Sequence, residues 1–187
     1  MANVDAPNGF IPVRSNYRVR SYYKDATAGI LGIGDPVIRV TNSSDPKGRP
    51  EIVRATTGSA ITGVIVGIEP KYSDLSQRHM AAADVGYVLV CDDPEALYHV
   101  QEVTGGTPLA VTDIGEHIDS ITAVNASTTT GRSLYEIDNA AQATDNTWRV
   151  EALLETPDNV VGEHARWIVS VNLSTEANAS ASRKTEV

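Results

Sequence analysis

The chain has 187 residues, a single cysteine and a net charge of −9; the length suits one domain with a full core, and one thiol excludes an internal disulfide. Residues 1–24 carry Arg14, Arg18, Arg20 and Lys24 against Asp5, a balance of +3 that leaves −12 for the rest. A body this acidic argues against nucleic-acid binding, where phosphate attraction supplies most of the nonspecific affinity, and no apolar run approaches the roughly 18 residues of a membrane span.

The start, "MANVDAPNGF", has neither the basic end nor the apolar segment of a secretory leader, so the expected site of synthesis is a cytosol. Residues 1–16 read as an extended arm with Pro7, Gly9 and Pro12 and no alternation. Phe10 is the only phenylalanine of the chain and is costly to leave in water. It is expected to fill a pocket, on its own body or on a neighbour. The arm is expected to be an intermolecular contact formed by Phe10, Ile11 and Pro12. Arg14, Arg18 and Arg20 would supply positive charge against an acidic surface, the alternative being a solvated strand face.

Residues 17–173 read as a β-rich body. Period-2 alternation and β-branched residues mark strands at 18–24, 36–41, 51–56, 62–69, 86–92, 97–103, 133–138, 148–154 and 166–173. Turn-forming stretches separate them, including "NSSDPKGRP", "TTGSA", "TGGTP" and "TPDNVVGE". Residues 73–84 and 138–144 are expected to form short helical turns. The fold class is therefore all-β, an antiparallel barrel or sandwich with an extended N-terminal arm and little helix, strand exceeding helix by at least about three to one. Residues 174–187, "STEANASASRKTEV", are small and polar and are expected to be an exposed, disordered tail.

No catalytic constellation is found. In "YVLVCDDPEALYHVQ" (87–101) the Asp-Pro-Glu sequence predicts a hairpin tip, with Asp92, Asp93 and Glu95 in water, and water-exposed carboxylates are not driven apart in pKa as acid–base catalysis requires. Cys91 lies in an apolar run and is expected to be a buried, inert thiol. His79, His99, His117 and His164 are scattered without zinc-like spacing, and Glu116, His117 and Asp119 in "GEHID" sit in a loop-like segment. "GILGIGD" (29–35) lacks the full glycine order of a dinucleotide loop, and strand-like residues follow it. The expectation is no enzymatic activity, no cofactor and no metal.

The ordered phrases "ANVDAPNGFIPV", "GDPVIRV", "ITGVIVGIE", "YVLVCDDPEALYHVQ", "TGRSLYEID" and "DNVVGEHARWIVSVN" resemble the head-decoration (cement, head-stabilising) proteins of tailed bacteriophages, over about residues 2–173. The resemblance implies a β-rich structural protein that binds the outside of an assembled capsid and strengthens it. It implies the major capsid protein and further copies of the chain, commonly a homotrimer, as partners. The location implied is the capsid exterior, after synthesis in the cytoplasm of a bacterial host. No catalytic residue is carried over. The alternatives are another β-rich virion part, such as a tail or fibre-associated module, and a small-ligand-binding β domain.

Overall fold

Residues 3–14, 16–121, 125–140 and 146–176 are described by a computed structural model. Ten strands run in chain order: β1 (Ile11–Pro12), β2 (Val19–Lys24), β3 (Pro36–Ser44), β4 (Pro50–Arg54), β5 (Gly63–Ile68), β6 (Gly86–Cys91), β7 (Leu97–Gln101), β8 (His117–Ile118), β9 (Trp148–Leu153) and β10 (Arg166–Val171). The molecule is all-β, 38% strand and 2% helix, with a single 3-10 turn at Val111–Asp113 as the described helix.

The choice between barrel and sandwich resolves into a barrel with a second sheet beside it. Strands β2–β4–β3–β5–β6 close into a barrel, and β1–β7–β10–β9–β8 form a five-stranded sheet. Alternation explains the barrel walls: on β6, Val88 and Val90 are fully buried while Leu89 between them is 47% exposed. Val88 and Val90 join Tyr22, Leu31, Val37, Ile52, Ile65 and Met80 inside the barrel. A second, larger core holds Phe10, Tyr98, Trp148, Val150, Trp167 and Val169 from the arm and sheet together with Ala55, Ile61, Val64 and Cys91 from the barrel. The sheet thus lies against the barrel wall, and one continuous apolar layer joins them.

Eight of the nine expected runs contain strands. Segment 133–138 is the exception. It makes only single bridges, through Ile137 to Glu102 and Ser120, because it threads between barrel and sheet: the Tyr135 hydroxyl donates to Ala55 O on the barrel side, while Ile137 N donates to Gln101 O of β7 at 3.0 Å. Residues 73–84 form turns instead of helix. Asp74 takes the Ser76 N–H at 3.0 Å and Asp84 takes that of Ala81 at 2.9 Å, so side chains capture the donors that a helix would use. Of the segment expected at 138–144, residues 141–144 lie outside the described residues; at its start the Asp138 carboxylate binds the amides of Asn139 and Ala140.

The Asp-Pro-Glu hairpin is corrected. β6 pairs with β2 and β5, whereas β7 pairs with β1 and β10, so residues 92–96 form a corner where the chain leaves the barrel for the sheet. Asp92 is 1% exposed there.

Candidate interaction surface

The described part of the arm is sewn to its own body at several points. The Asn3 side chain donates to Val160 O (2.8 Å) and Glu163 O (2.9 Å) and accepts from Val160 N (3.0 Å). Gly9 has φ +67°, and a Cβ there would stand 2.3 Å from that of Ser133, so only glycine lets the arm pass so close. Phe10 N donates to Gly34 O at 3.0 Å. The Phe10 ring is fully buried and stacks on Trp148 with centroids 4.0 Å apart, while Tyr98 meets the same indole edge-on at 5.7 Å. Ile11 and Pro12 pair with His99 and Tyr98 of β7, and Val13 N reaches Leu97 O at 2.9 Å. Of the two expected pockets for Phe10, the structure supplies the one on its own body: the two tryptophans and Tyr98 build a large aromatic core that Phe10 completes. Ile11 and Pro12 are half-buried and Arg14 is exposed.

Arg18 and Arg20 also meet an acid of their own chain. Two-residue spacing brings Arg18, Arg20 and Tyr22 to one carboxylate, that of Asp92. Arg18 Nε donates at 2.8 Å, the Tyr22 hydroxyl at 2.7 Å, and Arg20 Nε binds the same oxygen as Tyr22. Arg20 further binds Glu176. Burial works hardest against a charge on Asp92, but the bonds from Arg18, Tyr22 and Arg20 together outweigh it and hold the carboxyl below its ordinary range. Burial, then the bond to Asp92, pushes the Tyr22 phenol up. Both guanidinium groups remain about half exposed, so this is a partly wet network that ties β2 to the corner and to the C-terminal segment. Within that segment Ser174 bridges Ile61, and Thr175 N donates to Ile61 O at 2.8 Å.

Besides Val4 of the arm, two large apolar side chains stand well out in water on a loop of the barrel. Between β5 and β6, Tyr72 is 88% and Leu75 is 75% exposed. Their loop is braced from below. Asp84 accepts from Lys71 (2.7 Å), Gln77 (2.5 Å) and Ala81 N (2.9 Å), and the bond from Lys71 leads the influences that hold its carboxyl down at about 2. Fully buried Lys24 donates to the carbonyls of Asp25 (3.0 Å), Ala82 (3.1 Å) and Asp84 (2.8 Å). Beside the loop, Ile68, Pro70, Tyr87 and Leu89 line an apolar groove of about 300 Å³, with the Arg49 guanidinium 4.3 Å above the Tyr87 ring.

The structure gathers polar groups that the sequence scatters. Among the described residues one group has metal-ligand proximity: Asp5, Glu136 and His164 place ligand atoms within 4.8 Å of one another. Gaps of 131 and 28 positions hide it from any spacing rule. Glu116, His117 and Asp119 do not converge; His117 is buried in β8, and Asp119 instead accepts the Thr147 amide at 3.0 Å. Cys91 is buried, touched at 3.1 Å by the Tyr98 hydroxyl, and burial pushes its thiol up. In "GILGIGD", Asp35 turns inward and accepts Gly32 N at 2.8 Å. No protein-family model and no curated protein matches this chain.

Proposed function

We propose that the chain is a structural virion protein that binds the outer surface of an assembled tailed-phage capsid and stabilises it as a cement or decoration protein. The observation that carries this reading is the pairing of Tyr72 and Leu75, held in water on a braced loop, with the apolar groove of Ile68, Pro70, Tyr87 and Leu89 next to it. Large apolar groups on a rigid support resemble the preorganised anchors of protein interfaces. The ordered phrases that resemble those of decoration proteins suggest the kind of partner: the major capsid protein, with further copies of the chain as a homotrimer. The location on this reading is the capsid exterior. The protein works by adhesion, with no reaction, cofactor or metal.

Co-sedimentation with purified capsids that lack the protein tests the proposal. The wild type pellets with the shells and raises their resistance to heat, whereas Tyr72→Ala with Leu75→Ala, both outside the core, stays in the supernatant with its strand spectrum unchanged. A wild type that never pellets with capsids overturns the reading.

A further inference from the structure

We propose that the groove beside the loop of Tyr72 and Leu75 selects its partner by charge as well as by shape, and that it fits an extended acidic segment: one large apolar side chain with a carboxylate two positions away on the same face. This rests on the capsid-binding reading of that face and names what the face would recognise. Tyr87 and Leu89 stand two apart on β6 and so look outward together, Tyr87 half-buried and Leu89 47% exposed. With Ile68 and Pro70 they line a space of about 300 Å³, room for one aromatic or branched side chain and the backbone that carries it. Arg49 stands over Tyr87, one pleat from Leu89. On an extended partner the same spacing separates side chains at every second position, so an apolar group on Leu89 brings its second neighbour to Arg49.

The charge at this rim has no ionic partner of its own. Ion pairs among the described residues use Arg18, Arg20, Lys71, His164 and Arg166, and neither Lys47 nor Arg49 of the hairpin before β4. Asp45, the acid of that hairpin, is otherwise engaged: its carboxylate accepts the amides of Lys47 (2.9 Å) and Arg49 (2.7 Å) and the Tyr87 hydroxyl (2.6 Å). These bonds lock the hairpin against β6 and hold the Arg49 guanidinium 4.3 Å from the centre of the Tyr87 ring. Resting on the ring face leaves the N–H fork free at the rim, ordered in advance for a carboxylate. Asp45 offsets part of the Arg49 charge through space, and exposed Lys47 keeps the rim positive. The opposite rim differs. In the barrel β6 lies between β2 and β5; Arg49 leads into β4, the neighbour of β2, whereas Glu69 follows β5. Glu69 is exposed and accepts Tyr87 N at 3.3 Å. It repels a second acid, so the groove has a positive and a negative side and sets which way the segment lies.

Peptide titrations of the full chain, followed by the Leu89 methyl signals in NMR, test the selection apart from the capsid. The probes are the capped tripeptides Phe-Ser-Asp and Asp-Ser-Phe, each beside its asparagine counterpart. In the wild type, one of the two orders binds about fivefold more tightly as the acid than as the amide, and the difference shrinks at high salt. Arg49→Gln abolishes the preference. Arg49→Lys keeps the charge without the planar fork and retains part of it, which separates the charge from the contact with Tyr87. Co-sedimentation with capsids that lack the protein carries the comparison to the proposed partner, where Arg49→Gln binds about fivefold more weakly with its strand spectrum unchanged. No acid preference in either order, a preference undiminished in Arg49→Gln, or capsid binding equal in wild type and Arg49→Gln overturns the proposal, and the last of these leaves the capsid-binding reading standing. A wild type that ignores capsids overturns that reading instead, and the peptides then decide the preference of the groove.

Discussion

The indole N–H of Trp167 donates to Oε2 of Glu102 across 2.9 Å, with both side chains fully buried. The second oxygen of that carboxyl group has no hydrogen-bond partner among the described residues. Burial lifts the group to about 7, against the bonds from Trp167 and Leu109 N, so it is a good donor-free acceptor pair only at a cost when ionised.

That cost makes stability depend on pH in a stated direction. The carboxyl titrates near 4.5 in the unfolded chain and about 7 in the folded one. Between those values the folded state holds a proton that the unfolded state has released. Stability is therefore fully present below the lower value and declines as pH rises through the higher one. Buried Asp35, also raised by burial, acts in the same sense. The melting temperature is expected to fall on going from about pH 5 to about pH 8, and Glu102→Gln to reduce the fall by several degrees, of order 4 °C. Calorimetry on both proteins across that range measures it.

Removing the arm's ring tests its docking on the body. Phe10→Ala empties a site stacked on Trp148 and is expected to cost about 3–5 kcal/mol in denaturant unfolding. An unchanged midpoint at low protein concentration would place the arm off its own body.

Asp92 is the hub of a network of two guanidinium groups and one phenol hydroxyl. Asp92→Ala leaves Arg18 and Arg20 without their shared partner, but both guanidinium groups reach water, so the expected cost is about 1–2 kcal/mol. The C-terminal side of this network can be read separately. A chain ending at Leu173 loses the Ile61 bridge and Glu176, so it should melt below a chain ending at Glu176.

Lys24→Met removes the ammonium that gathers three carbonyls under the loop of Tyr72 and Leu75. The three carbonyls are only part-buried and can turn to water, so the loss of the ammonium bonds predicts about 1 kcal/mol. Faster hydrogen exchange in residues 70–85 and weaker binding to shells, with the barrel strands intact, would show that the brace sets the position of the exposed pair.

What was legible in the sequence is what alternation controls. Trp148 to Val150 shows its inward face by residue type, and β9 lies there. Tyr87 to Cys91 reads as a strand by its apolar, β-branched run, although nothing in residue type marks Leu89 as the outward position of β6. The two-residue β1 has no such signal, since it is a strand only because β7 lies beside it. Asp92 was misplaced by a turn rule that weighs neighbours in sequence, while its partners stand more than 70 positions earlier. A signal for it did exist: Arg18, Arg20 and Tyr22 repeat at the strand period and present two cations and a hydroxyl to one acceptor. Nothing comparable announced Gln101, whose three partners come from the arm, the crossing segment and the loop before β10.

The order of strands also fixes an order of events. β1 belongs to the sheet, yet its partner β7 follows only after the whole barrel, and the partner of Phe10 is Trp148. As the chain leaves the ribosome, β2 to β6 can close into a barrel while the arm ahead of them has the Gly34 carbonyl but neither β7 nor Trp148 to rest on. For most of synthesis the single phenylalanine is an unclaimed sticky end. A newly made chain therefore passes through a state with a finished barrel and a loose arm, and in a crowded cell that is when strands of two copies can be exchanged.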